Sequence, residues 1–326
     1  IKVGKFAENT YNEFVLGLLG LYRSGCNRFI IDLRGNLGGY LEVAIRMINE
    51  FLPKDRLIVY TEGKSSPRYE AKSTGDGNFK DIPIVILIDE WSASSSEIFA
   101  GAIQDNDRGE IIGRRSFGKG LVQQQFDFDD GSAIRLTIAR YYTPSGRCIQ
   151  KKYDMGTEDY NLDLFNRYKN GEFFSKDSIK HIDTTCYHTL SGRIVYGGYG
   201  IMPDIFIPKD TSFFSNFYNQ LLGNSTLYQF CFRYAEQHRE RLYSLKTVEE
   251  LSAYLDQDKA LEKLVEYASK NGIKGNTQEM KNDSKRFKNQ VYAFITRNVC
   301  GDEMFYRFMF QNDEAILKSI EVLQKK

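Results

Sequence analysis

The stretch that decides how this chain is read runs from residue 84 to residue 125: IVILIDEWSASSSEIFAGAIQDNDRGEIIGRRSFGKGLVQQQ. Ile84 to Ile88 is a β-branched apolar run of strand length, ended by Asp89 and Glu90. Ser92-Ala93-Ser94-Ser95-Ser96-Glu97 follows, and an apolar pattern of helical spacing begins at Ile98. Small polar residues followed by Glu fit a helix start, where unpaired backbone N–H groups need acceptors. The serines therefore fall where a buried strand turns into a helix. A nucleophile held there has backbone amides and the positive end of a helix beside it, and both favour a developing oxyanion.

A serine needs a base. The three histidines, His181, His188 and His238, come late in the chain, outside any segment that reads as core scaffold. Lys119 is the better candidate, set between two glycines in Ser116-Phe117-Gly118-Lys119-Gly120. A lysine acts as a base when burial disfavours its charged form. Residue chemistry alone does not separate Ser94 from Ser92, Ser95 and Ser96. Glu97 reads as a first-turn helix residue favoured by the dipole rather than as a base.

Working outward, SASSSE, SFGKG with Gln123 after it, DLRGNLGG at Asp32 to Gly39, YYTPSG at Tyr141 to Gly146 and GIMPDI at Gly200 to Ile205 occur together. In content and order these blocks resemble the tail-specific, or carboxyl-terminal-processing, serine peptidases (S41-like). The resemblance is to a Bacteroidetes-type member with a helical C-terminal extension. The resemblance implies a ClpP/crotonase-like β-β-α core and a Ser-Lys dyad. Ser94 would be the nucleophile, Lys119 the base and Gln123 the group that orients the lysine. The oxyanion hole would be backbone N–H groups of Ser95 and of Gly38 or Gly39. The activity implied is that of an endopeptidase cleaving unstructured protein segments near carboxyl termini, without metal or organic cofactor. Implied partners are proteins or peptides with flexible C-termini, with homo-oligomers also possible, and the implied location is the periplasm or cell envelope. The family usually has Pro where Leu37 stands and Ala where Ser95 stands; an oxyanion amide is backbone, so the second change keeps the donor. A PDZ domain is expected upstream of Ile1, outside this chain. A non-catalytic peptide- or ligand-binding module on the same fold is the alternative.

The remaining patterns set bounds. The chain has 326 residues and a formal net charge of +1, which gives no electrostatic case for nucleic acid or an anionic membrane. No run of about 20 apolar residues appears. No signal peptide is visible, and the opening Ile1-Lys2-Val3 without an initiator Met reads as a fragment or processed form. Five scattered cysteines suggest mostly free, buried thiols.

Along the chain, Ile1 to Phe6 alternates like a strand, and Thr10-x-x-Glu13 reads as a capping box before a helix that ends near Gly25. Strands are expected at 28–33, 57–60 and around Ile111, and a helix at 40–52. Leu121 to Phe128 and Ala133 to Tyr142 form a hairpin signal. Strand–helix alternation argues an α/β core with parallel pairing. Residues 151–199 read as polar loop. Residues 1–208 are expected to be the catalytic core and 209–326 a helical region, with Thr247-x-x-Glu250 capping one of its helices.

Three competing patterns are weaker. Gly113 to Gly120 nearly spells a phosphate-binding loop, but Gly120 stands where a hydroxyl residue is needed and a strand pattern follows. Asp32 and Arg34 read as a local ion pair at a strand end. His181, Cys186 and His188 have no zinc-like spacing and no evident fourth ligand.

Overall fold

Parallel pairing is what the alternating strands and helices require, and the core sheet has it. The computed structural model describes residues 1–151, 156–179, 185–210, 216–273 and 284–325. Strands β1 (Phe29–Asp32), β4 (Ile84–Ile88), β5 (Glu110–Gly113) and β10 (Ile205–Phe206) form a four-stranded sheet in the order β1-β4-β5-β10, all parallel. In β4 all five side chains are buried. A parallel strand is covered on both faces, so its sequence is a continuous apolar run rather than an alternation.

Helices α1 (Thr10–Arg23), α2 (Leu41–Asn49) and α3 (Ser95–Asp105) supply cover. From α2, Val43, Ala44, Met47 and Ile48 enter the same core as Ile31, Ile86 and Ile88. Burying an aliphatic side chain of this size contributes about 2 kcal/mol. Helix α3 is buried all round, Glu97, Gln104 and Asp105 included. The one-sided pattern expected after Ile98 is therefore not what its environment shows, and its buried polar groups must find partners inside the protein.

A second sheet, order β3-β2-β7-β6, is antiparallel: β2 (Leu57–Gly63), β3 (Ser66–Lys72), β6 (Leu121–Asp127) and β7 (Ala133–Tyr142). The expected hairpin is β6–β7. The residues after Lys119 thus enter a strand, not a helix, and the phosphate-loop reading loses the geometry it needs. Strand β3 is not expected from sequence.

Three local expectations change. Ile1 to Phe6 makes only isolated bridges, Lys2 with Asp32 and Phe6 with Gly39. Thr10 is the first helical residue rather than the cap, and its hydroxyl donates to the Lys5 carbonyl at 3.0 Å. The polar stretch 151–199 contains α4 (Thr157–Lys169) and a short hairpin, β8 (Cys186–His188) with β9 (Ile194–Tyr196). All five thiols are free, and only Cys231 is buried. His181 lies outside the described residues. Among the described residues no group of three or more His, Cys, Asp or Glu is placed to hold a metal.

The chain divides into two compact units, Ile1–Lys209 with Lys318–Lys326, and Asp210–Leu317. The second is helical, with α5 (Asn216–Gly223), α6 (Thr226–Gln237), α7 (Arg239–Ser244), α8 (Val248–Gln257), α9 (Ala260–Lys270) and the long helix Ser284–Phe310, kinked at Gly301. Its own core includes Phe230, Leu251, Leu264 and Phe308. The Thr247 capping box forms: the Glu250 N–H donates to the Thr247 hydroxyl at 3.2 Å, and the Thr247 N–H donates to the Glu250 carboxylate at 3.2 Å.

Candidate active site

Three neighbouring parallel strands deliver three turns to one end of the sheet. β1 leads into 33–39, β4 into 89–94, and β5 into 114–120. In open parallel sheets the crevice at the carboxyl ends of the strands is where sites are built.

The first two turns are sewn together by serine hydroxyls. Ser92 donates to the Leu33 carbonyl at 2.9 Å, Ser96 to the Asn36 carbonyl at 2.9 Å, and Ser95 to the Gly39 carbonyl at 2.8 Å. The Ala93 N–H also donates to the Asn36 carbonyl, at 3.0 Å, and Asp89 Oδ1 accepts the Gly35 N–H at 2.9 Å. Three of the four serine hydroxyls thus donate to carbonyls of the neighbouring turn. Ser94 differs: it is half-buried and holds φ 54°, ψ −116° at the junction of β4 and α3. A non-glycine residue in that region costs about 1–3 kcal/mol and persists only where its surroundings impose it. A nucleophile raised on a strained strand-to-helix turn is a recurring device of serine hydrolases.

The glycine turn lies against Ser94. A Cβ on Gly38 would stand 2.8 Å from Ser94 Cβ, 2.8 Å from the Ala93 carbonyl oxygen and 3.1 Å from the Ser95 nitrogen. Gly38 also has φ +100°, so both space and conformation demand glycine. Its N–H donates to Asn36 Oδ1 at 2.8 Å and its carbonyl accepts from Phe6 at 3.1 Å. The Asn36 amide in turn donates to the Val3 carbonyl at 2.8 Å. The N-terminal segment therefore fixes this turn through backbone contacts without forming a full strand. Of the oxyanion donors expected, Gly38 is engaged with Asn36, while Gly39 and Ser95 flank it.

The third turn is fastened by Glu97. Its Oε2 accepts the backbone N–H of Ser94 at 2.9 Å and of Lys119 at 2.8 Å. Its Oε1 accepts the Gly118 N–H at 2.6 Å and the Ser116 hydroxyl. Burial holds the Glu97 carboxyl above its ordinary range, and these four donors offset that only in part. Sequence alone suggests a dipole partner for Glu97; the structure makes it the tie between the Ser94 turn and the Lys119 loop. The Glu97–Ser94 spacing of a capping box was the available signal, but its reach to residues 116–119 is tertiary.

Lys119 is half-buried. Gln123 is exposed on β6, beside an irregularity in the β6–β7 register between Val122 and Gln123. Asp32 and Arg34 form the expected local pair, Arg34 donating to Oδ1 at 2.9 Å and to Oδ2 at 2.8 Å. Burial raises the Asp32 carboxyl, but the Arg34 guanidinium outweighs it and holds the group below the usual carboxylate range.

A parallel α/β core with a serine on a strained strand-to-helix turn, braced against a glycine turn and a lysine loop, has the layout of a serine-nucleophile hydrolase. Comparison with known proteins narrows this. Residues 1–161 match the model of peptidase family S41. Residues 217–301 match a family of unknown function, DUF8443. A carboxyl-terminal-processing protease of Synechocystis sp. is 38% identical over 151 residues, which are 46% of this chain and 35% of that protein. A probable CtpA-like serine protease of Staphylococcus haemolyticus is 35% identical over 151 residues, 46% of this chain and 30% of that protein. The chain thus spans about a third of the length of these curated relatives. Among solved structures, the photosystem II D1 C-terminal processing protease aligns with a TM-score of 0.46 and 24% identity, covering 64% of this chain and 41% of that one.

Proposed function

We propose that this chain carries a serine endopeptidase that cleaves unstructured protein segments near their carboxyl termini through a Ser94–Lys119 dyad. The observation that carries this reading is the division of labour among the serines. Ser92, Ser95 and Ser96 are spent on backbone carbonyls, while Ser94 stands on the strained turn and is joined to the Lys119 loop through Glu97.

In this reading the Ser94 hydroxyl attacks the scissile carbonyl carbon and its proton passes to the neutral Lys119 amine. The tetrahedral oxyanion is met by the N–H of Ser95 and by the Gly38–Gly39 turn, where Gly38 would exchange Asn36 for the substrate oxygen. Lys119 then protonates the departing amine, leaving an acyl group on Ser94. Water, deprotonated by Lys119, releases the second product. Gln123, four residues beyond Lys119 on β6, is assigned the task of orienting the amine without adding charge. Substrates with flexible C-termini, assembly into homo-oligomers and a place in the periplasm or cell envelope are proposed with the family likeness. Among the described residues no helix is long and apolar enough to cross a membrane.

Labelling with a fluorophosphonate tests the reading. One adduct is expected, on Ser94, absent in Ser94→Ala and slowed about 100-fold or more in Lys119→Ala and Lys119→Arg, since a guanidinium keeps its proton. No adduct on the folded protein would point instead to a non-catalytic peptide-binding module. An adduct on another serine would move the nucleophile.

A further inference from the structure

The lysine loop is held from a second side by a helix that the sequence pattern hides. Arg167, on α4, donates from Nη2 to the Arg115 carbonyl at 2.7 Å and from Nη1 to the Ser116 carbonyl at 3.0 Å. Its Nε donates to Glu172 Oε1 at 2.8 Å, and the same carboxylate accepts from Arg115 Nε at 2.7 Å and Nη2 at 2.6 Å. All three side chains are buried. Burial raises the Glu172 carboxyl, but the two guanidiniums outweigh it and hold it below the usual range. A buried charge cluster of this kind is costly to open, because any member left alone has lost both water and partner.

A second contact comes from the same helix. Lys151 Nζ sits 4.2 Å from the centre of the Phe117 ring and 4.0 Å from that of Tyr160 on α4, and donates to the Tyr160 carbonyl at 3.0 Å. The Lys151 backbone N–H donates to the Gly118 carbonyl at 3.0 Å. The loop is therefore gripped twice over. Glu97 takes the N–H groups of residues 118 and 119, and Arg167 with Lys151 takes the carbonyls of residues 115, 116 and 118.

We propose that Arg167 is a positioning residue for Lys119, resting on the reading of Lys119 as the base, so that the α4 segment completes the active site. The physical reason lies in the glycines. Gly118 holds φ +87°, and a lysine between two glycines has no neighbouring Cβ to restrict its backbone. An arginine fork spanning two successive carbonyls fixes the orientation of two consecutive peptide planes just before that flexible pair. The residue lies beyond the segment matched by the peptidase family, 1–161, so the matched portion would not hold its own base in place unaided.

The test uses the full chain with Arg167→Lys and Arg167→Ala. Lysine keeps the charge beside Glu172 but cannot reach two carbonyls and a carboxylate in the planar fork geometry. For Arg167→Lys the expected result is a melting temperature within a few degrees of wild type, KM within about twofold, and kcat and the fluorophosphonate rate down about tenfold or more. In Arg167→Ala, guanidinium at tens of millimolar is expected to restore part of kcat where an equal concentration of ammonium does not. An Arg167→Lys enzyme with kcat and labelling rate within about twofold of wild type overturns the proposal. So does loss of the fold in both variants, which would make Arg167 structural. A wild-type enzyme that never labels at Ser94, or a fully active Lys119→Ala, would instead remove the dyad reading on which the proposal rests.

Discussion

The missing side chain of Gly38 is what lets Ser94 sit where it does: a Cβ at residue 38 would stand 2.8 Å from the Cβ of Ser94. Alanine at 38 also meets a positive φ, which adds about 1 kcal/mol of strain or more. Gly38→Ala is therefore expected to push the Ser94 turn away from the glycine turn. The predicted outcome is a fall in kcat/KM of about 100-fold with a melting temperature only a few degrees lower. Peptide hydrolysis and thermal unfolding measure the two effects separately, and an active Gly38→Ala enzyme would show that the turn has room to yield.

Stability and activity should separate along the serine run. Ser92→Ala, Ser95→Ala and Ser96→Ala each remove a hydroxyl that satisfies a carbonyl, at about 1 kcal/mol apiece. Each is expected to unfold at lower urea while still taking a fluorophosphonate on Ser94. Ser94→Ala is expected to do the reverse, unfolding near the wild-type midpoint with hydrolysis abolished. Urea melts and intact-mass labelling of the four variants decide the matter.

Glu97→Gln puts an amide where a carboxylate accepts two donors on each oxygen. Whichever oxygen the amide nitrogen replaces, N–H then faces N–H or O–H, and the Lys119 loop should part from the Ser94 turn. We expect kcat/KM to fall about 100-fold with the far-ultraviolet circular dichroism unchanged. Activity within threefold of wild type would rule out the tie.

Asp32 carries a pH dependence with a definite sign. Its folded pKa lies below the unfolded value of about 3.9, so its stabilisation is present above that value and is lost as pH falls through the folded pKa. Asp32→Asn should therefore be less stable than wild type by about 2 kcal/mol at pH 7, with the gap closing below pH ~4. Urea unfolding at a series of pH values measures the gap; a difference that stays constant into strong acid would contradict it.

Much of this arrangement was legible in the order of residues. The run Ile84 to Ile88 is the strand β4 with its bounds unchanged, because a strand covered on both faces must be apolar throughout. The hairpin at 121–142 also follows its alternation and turn residues. The losses have physical causes. Strand β3, SPRYEAK, is mostly exposed, so no apolar face announces it. Helix α4 turns a charged residue, Arg167, inward and leaves Leu162 and Phe165 outside, the reverse of the usual stripe. The serine run marked the candidate site, but what sets Ser94 apart there, its backbone conformation and the bonds of its neighbours to residues 33–39, is tertiary.

Those contacts join residues 56, 59 and 60 positions apart along the chain. Closing loops of that length is entropically unfavourable until strands β1 and β4 have paired and brought the two turns together. Arg167 and Arg115, 52 positions apart, meet later in chain order still. A nascent or partly unfolded chain therefore contains every residue of the candidate site without the site itself. On the proposed endopeptidase reading, timing thus supplies a safeguard of its own: the blade is assembled only once the polypeptide that carries it has ceased to be an unstructured target.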